Sequence, residues 1–233
     1  MPSFAVILPA AGGATRFGGP VNKVLVPLGG VPLIVHSLRA FLSRSDVSGV
    51  VIPTSPATGL SNAASPELAA CLRDPRVRQC AGGASRAESV KRGLAEVPAG
   101  AEWVAVHDAA RPLVSQELIT RTLAAAVEHG AAVGAVPIAQ TVKEAEGPLP
   151  AKVFRTVQRS RLWAVETPQI VRRRDLDVAF ETCPLPLEQV TDDLQLIELA
   201  RKPVWLVEGE ERNLKVTTQT DLRIAEMLLA TPH

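Results

Sequence analysis

The chain has 233 residues, with 46% apolar, 3% aromatic and no tyrosine. A chain of this size can bury a core of its own, packed by many small Ala, Val and Leu contacts. Twenty-five basic residues against twenty-four acidic ones give a formal charge of +1, which excludes a general nucleic-acid or membrane-surface binder, since either needs a basic excess.

Phe4-Ala5-Val6-Ile7-Leu8 is a short, wholly apolar run ended by Pro9, the pattern of a central strand buried on both faces. Such runs recur at 49–52, 103–107, 131–136 and 204–207. Between them, Leu33, Ile34, Leu38, Phe41 and Leu42 mark a helical stripe. A second stripe, Leu118, Ile119, Leu123, Ala126 and Val127, is opened by Ser115 and closed by Gly130. Strands alternating with helices predict an α/β fold with a mostly parallel sheet. Ligands of such sheets bind beyond the carboxyl ends of the strands, which places chemistry after Leu8, Ile52, His107 and Val136. Residues 55–66 read as a polar surface loop. Residues 138–165 break the rhythm, with a candidate strand at Val153–Val157, and predict a hairpin arm or lid. Cys71, Cys80 and Cys183 form no CxxC pair or metal-ligand spacing and read as reduced thiols. With no run long enough to cross a membrane and no secretory leader, a cytoplasmic location is expected.

Four clusters carry the candidate chemistry. The first is Pro9-Ala10-Ala11-Gly12-Gly13-Ala14-Thr15-Arg16-Phe17, followed by Lys23. Small residues after a buried strand bring backbone N–H groups close to phosphate oxygens, and the two cations add charge there. It is neither a Walker A loop nor a GxGxxG dinucleotide fingerprint. The second runs from Gly82 to Val90, where Ser85 and Glu88 form an S-x-x-E capping box. A diglycine before a helix start is a seat for a base or phosphate, or simply a capped surface helix. The third, Trp103 to Pro112, ends a strand in His107-Asp108. Asp108 suits Mg²⁺; the plainer alternative is an ion pair between Asp108 and Arg111 in a turn. His107 is given no catalytic role. The fourth is scattered over Thr141, Lys143, Arg159, Glu166-Thr167-Pro168-Gln169 and Asn213 to Thr217. Lys215, in a strand-like run, needs an anionic partner if buried. No nucleophile-and-base pairing appears, so cations, one carboxylate and Gly-rich loops point to phosphoryl or nucleotidyl transfer.

Over nearly its full length the sequence resembles the 2-C-methyl-D-erythritol 4-phosphate cytidylyltransferases. The resemblance rests on PAAG…R…K, GGxxRxxSV, VHDAARP, TVK, R-x-x-LW-x-x-x-TPQ and EG…N-L-K-VT. It implies a single domain over residues 1–233 with a Rossmann-like sheet flanked by helices, and a protruding β-arm, 138–165, exchanged within a homodimer. It also implies that CTP and methylerythritol phosphate are the substrates. Arg16, Lys23 and Lys215 would surround the reacting phosphates and Asp108 would hold Mg²⁺. Ala10, Ala11, Gly12, Gly83, Ala84 and Ser89 would frame the cytidine. Thr167 and Arg111 would bind the acceptor, together with Thr141 and Arg159 from the second copy. The alternative acceptor is ribitol 5-phosphate. A non-catalytic CTP sensor is the reading outside catalysis, and an NAD-dependent enzyme is disfavoured by the missing GxGxxG. Three positions depart from the pattern. Ala14 replaces a glycine, Asn22 replaces a proline and is expected to leave its loop more mobile, and Asp193 replaces a glutamate while leaving helix capping intact.

Overall fold

The computed structural model describes residues 1–12, 22–55, 60 and 65–231. In chain order the strands are β1 (Phe4–Ile7), β2 (Pro27–Leu28), β3 (Val31–Pro32), β4 (Val47–Thr54), β5 (Val77–Ala81), β6 (Trp103–Val106), β7 (Ala131–Pro137), β8 (Val142–Ala145), β9 (Val153–Val157), β10 (Trp163–Arg172) and β11 (Trp205–Glu208). The helices are α1 (Leu33–Leu42), α2 (Pro66–Leu72), α3 (Arg86–Ala95), α4 (Gln116–His129), α5 (Arg173–Glu181), α6 (Asp193–Leu199) and α7 (Gln219–Ala230). Seven strands form one sheet in the order β11-β7-β10-β6-β1-β4-β5. Within it only β10 runs antiparallel to its neighbours.

The apolar runs have a direct cause. Side chains alternate across a strand, and here both faces are covered. Phe4 and Val6 enter one core with α1 and α4, while Ala5 and Ile7 enter a second core with α3, α5 and α6. Trp103 and Ala105 divide from Val104 and Val106 in the same way. A polar residue anywhere in these runs would be buried on one face or the other. Helix α4 also follows from sequence: Ser115 accepts the Leu118 N–H, and Gly130, at φ 97°, closes it in a conformation that glycine adopts without Cβ strain.

Several elements differ from expectation. Helix α2 opens at Pro66 with Ser65 as its cap, inside the segment read as loop. Proline fits there because the first helical N–H has no partner to lose. Strand β5, VRQCA, is an edge strand whose polar residues face solvent. Strand β10 contains Glu166-Thr167-Pro168-Gln169, and its register against β7 shifts between Val165 and Gln169; the proline sits at that irregularity, where no ladder donor is needed. The segment around Lys215 is irregular rather than a strand.

Strands β8 and β9 pair antiparallel as a sheet of their own, with Lys143 opposite Thr156. The central sheet resumes at Trp163, opposite Pro137 on β7. Among the described residues no helix is long and apolar enough to cross a membrane.

The chain leaves β1 for β4 and β5 on one side, then returns to place β6 on the other. The carboxyl ends of β1 and β6 therefore flank the point where strand order reverses, and crevices open at such points.

Candidate active site

A cleft of about 360 Å³ lies at that point. The residues following β1 (Pro9 to Gly12), those following β5 (Gly83 to Arg86) and those following β6 (Asp108 to Ala110) line it, with Lys23, Ser89 and Lys215. Of the four loops expected from the sequence, those after Leu8 and His107 contribute. Ile52 does not end its strand, which runs on to Thr54, and the diglycine cluster instead follows β5. Val136 does not line the cleft.

The first loop is fixed at both ends. Ala10 donates its N–H to the Pro53 carbonyl at 2.9 Å. Asn22 is 4% exposed; its Nδ2 donates to the Ala10 carbonyl at 3.0 Å and its Oδ1 accepts the Val24 N–H at 3.3 Å. Asn22 thus ties the start of the Lys23–Leu25 turn to the end of the strand; residues 13–21 of the loop, to which the expectation of mobility applies, lie outside the described residues. Arg16 and Ala14 lie outside the described residues.

The diglycine loop comes close to the first. A Cβ on Gly82 would lie 2.3 Å from that of Ala11, so only glycine allows the two cleft walls to approach so closely. Ser85 caps α3 by accepting the Glu88 N–H at 3.1 Å. The Glu88 carboxylate takes the Ala84 N–H at 2.7 Å, and the Ser89 hydroxyl accepts the Gly83 N–H at 2.9 Å while donating to the Ser85 carbonyl at 2.9 Å. The Gly83 and Ala84 amides are thus engaged within the loop, whereas a seat for a base or phosphate was expected to present such groups to the ligand.

At the cleft floor Asp108 is 9% exposed and gathers three cations from distant segments. Arg86 Nε lies 3.2 Å from Oδ1, while Lys215 Nζ lies 2.9 Å and Arg111 Nε 3.5 Å from Oδ2. Burial alone would raise the Asp108 pKa, but the charges of Arg86, Lys215 and Arg111 outweigh it and hold the carboxyl well below the usual range. The plainer ion pair with Arg111 is thus present, as one part of a larger cluster. The Lys215 segment is pinned beside it. Val216 donates its N–H to the Ala110 carbonyl at 2.8 Å, and the fully buried Asn213 donates to Glu166 at 3.0 Å and to the Thr167 carbonyl at 2.8 Å. The Asn213 carbonyl in turn accepts from Arg111 Nη1 at 2.7 Å.

Thr167 and His107 brace Asp108 from behind. Thr167 Oγ1 accepts the Asp108 N–H at 3.0 Å and lies 3.0 Å from His107 Nδ1. Its hydroxyl proton is therefore directed at Nδ1, which places the imidazole proton on Nε2, donating to the Arg111 carbonyl at 3.0 Å. Thr167 is 4% exposed and already makes two internal bonds. His107 is fully buried, and burial lowers its pKa from 6.5 to about 4. The unfolded chain thus binds more protons than the folded one between those values, and stability falls as the pH drops through that window. Unfolding by urea at pH 7 and pH 5 is expected to show a loss of about 2 kcal/mol from this group, absent in His107→Gln; equal pH dependence in both proteins would contradict it.

Thr141 and Arg159 are exposed and do not line the cleft; Arg159 Nη1 bonds the Ile138 carbonyl at 2.9 Å. Sequence reasoning named Asn213 only within a scattered cluster and Asp193 only beside a helix cap, and it gave Arg86 no role of its own. Arg86 carried two signals: it is the arginine of the GGxxRxxSV stretch, and a cation in the first turn of a helix opposes the macrodipole and so calls for an anion elsewhere in the fold. Its Nη1 meets Asp193 at 2.7 Å. Among the described residues no three or more His, Cys, Asp or Glu side chains gather as a metal cage. A single carboxylate in a phosphate-sized cleft suits a metal that arrives with substrate phosphates, as Mg²⁺ does.

A doubly wound sheet whose switch-point cleft joins a small-residue loop, a carboxylate and converging cations defines a nucleotidyltransferase. The chain belongs to the 2-C-methyl-D-erythritol 4-phosphate cytidylyltransferase family, whose model matches residues 4–231. The enzyme of that name from Gloeobacter violaceus is 40% identical over 228 residues, covering 97% of this chain and 96% of its own. That from Geobacillus kaustophilus is 38% identical over 229 residues, covering 98% and 97%. The crystal structure of the cytidylyltransferase from Thermus thermophilus superposes with a TM-score of 0.76 at 33% identity, covering 99% of this chain and all of that one.

Proposed function

We propose that this chain joins CTP to 2-C-methyl-D-erythritol 4-phosphate, releasing pyrophosphate. A phosphate oxygen of the acceptor attacks the α-phosphorus of CTP, the bond between that phosphorus and the bridging oxygen of the β-phosphate breaks, and the electron pair leaves with pyrophosphate. The acceptor phosphate is already anionic, so no general base is needed. What opposes the reaction is the approach of two anions.

The observation that carries this reading is the convergence of Lys215, Arg86 and Arg111 on Asp108 at the cleft floor. Lys215, 38% exposed, is parked on Asp108 and can swing to a phosphate once another cation takes that carboxylate. Lys23 and Arg16 would add charge from the loop after β1. Asp108 would hold Mg²⁺, which when bound supplies charge neutralisation across the phosphates. Ala10, Ala11, Gly12, Gly83, Ala84 and Ser89 would enclose the cytidine, with the committed amides of the diglycine loop serving as a rigid wall. Arg111 would face the acceptor phosphate, and Thr167 would act there mainly by holding Asp108.

Thr141 and Arg159 complete the acceptor site only if a second copy lends its hairpin. We therefore place the chain in a homodimer that exchanges residues 138–165, as one domain working in the cytoplasm. Mixing an Arg159→Ala variant with a Lys23→Ala variant is expected to restore activity, because mixed dimers contain one intact site. Activity no greater than the two variants measured alone would remove the exchanged arm.

The function is tested by incubating the protein with Mg²⁺, CTP and either methylerythritol 4-phosphate or ribitol 5-phosphate and following pyrophosphate. Release with the first acceptor alone is expected. Release with ribitol 5-phosphate alone would transfer the chain to the alternative substrate, and release with neither would end the proposal.

A further inference from the structure

We infer that Asp193 is a positioning residue for this transfer: it holds Arg86 by one terminal nitrogen, so that Arg86 meets Asp108 through Nε alone and leaves that carboxylate open to a metal-bound nucleotide. The inference rests on the proposed function for its consequence, and on geometry for its cause.

Asp193 is 1% exposed, in the first turn of α6. It is not needed as a cap, because Asp192 already caps that helix by accepting the Gln195 N–H at 2.8 Å. The Asp193 N–H is held by Gln169 Oε1 at 3.0 Å, which fixes the residue against β10. One carboxylate oxygen receives Arg86 Nη1 at 2.7 Å, and the other has no hydrogen-bond partner among the described residues. A buried carboxylate with one charged partner is costly, and the Arg86 contact is the one ion pair it makes among the described residues.

Left to themselves, arginine and carboxylate close a two-pronged fork. Two pairs among the described residues do so. Arg44 gives Asp46 its Nε at 2.9 Å and its Nη2 at 2.7 Å, and Arg76 gives Asp74 the same pair of atoms at 3.1 and 2.9 Å. Asp108 receives from Arg86 only Nε, at 3.2 Å. The difference is Asp193, which pulls on Nη1 from the other side. Without that pull Arg86 can close its fork over both oxygens of Asp108, where Lys215 and Arg111 already compete. A carboxylate enclosed in this way is a poorer partner for a metal ion.

Asp193→Asn keeps the shape and replaces the charged pull with that of a neutral, weaker acceptor. The Mg²⁺ concentration giving half-maximal pyrophosphate release is expected to rise about tenfold or more, the usual scale for residues behind a metal ligand. At saturating Mg²⁺ the KM for CTP should stay within about twofold, since no group touching nucleotide has changed. Arg86→Lys, which cannot close a two-pronged fork, should suppress that Mg²⁺ shift when combined with Asp193→Asn. The side-chain ¹⁵N–¹H signal of Arg86 Nε, recorded without nucleotide, should move in Asp193→Asn. A wild-type Mg²⁺ midpoint in Asp193→Asn, an equally raised midpoint in the Asp193→Asn/Arg86→Lys double variant, or an Arg86 signal unmoved in Asp193→Asn, would overturn the inference. A chain that releases no pyrophosphate with either acceptor would sink the proposed function instead, and the Arg86 signal would still decide the tether.

Discussion

Asp108→Ala is expected to lower turnover by about 10³ or more, the largest single effect in the molecule. Among the described residues Asp108 is the one carboxylate lining the cleft, and it organises cations that arrive from α3, from the turn after β6 and from the segment before α7. Its loss removes the anion shared by three positive groups, of which Arg86 keeps Asp193 at 2.7 Å. Stability should fall by about 3 kcal/mol, the scale for removing one partner of a buried pair. Overall attraction for CTP should survive, because the cleft becomes more positive. Steady-state kinetics beside calorimetric CTP binding separates these effects. Turnover within threefold of wild type would remove Asp108 from the reaction.

Lys215→Ala should lower turnover by about 10²–10³ while changing CTP affinity far less. The reasoning again starts from geometry. Lys215 sits 2.9 Å from Asp108 and is 38% exposed, so its ammonium borders the cleft without being sealed in. Its backbone is anchored through the Val216–Ala110 bond and the buried Asn213, so truncating the side chain should leave the fold intact. Asp108 keeps Arg86 and Arg111. What is lost is a mobile cation for the moment when two phosphates meet. The same split between turnover and affinity is expected for Arg16→Ala. A Lys215→Ala enzyme with unchanged turnover would show that the lysine serves only Asp108.

The sequence was most legible where one local cause decides the structure. β1, β6 and β7 could be read because strands covered on both faces tolerate no polar residue. α4 could be read because Ser115 and Gly130 mark its ends. β10 was hidden because its middle carries polar residues and a proline, placed at a register shift that only its neighbours define. In the site, Asp108 and Lys215 could be proposed one at a time, from motif and resemblance, but not their 2.9 Å contact. Arg86 and Asp193 stand 107 residues apart, and nothing local says which carboxylate a given arginine will meet. The bond from Asn22 to Ala10 was not legible for a related reason: its partner lies twelve residues away, across a loop.

The most direct test of the charge cluster is a crystal structure of the protein with Mg²⁺, CTP and methylerythritol 4-phosphate, captured with Lys215→Ala to slow turnover. The α-phosphate and the acceptor phosphate should lie side by side over Asp108, within reach of Lys23 and of the space vacated by the lysine. Phosphates bound elsewhere, with Asp108 still closed in its ion pairs, would contradict the account.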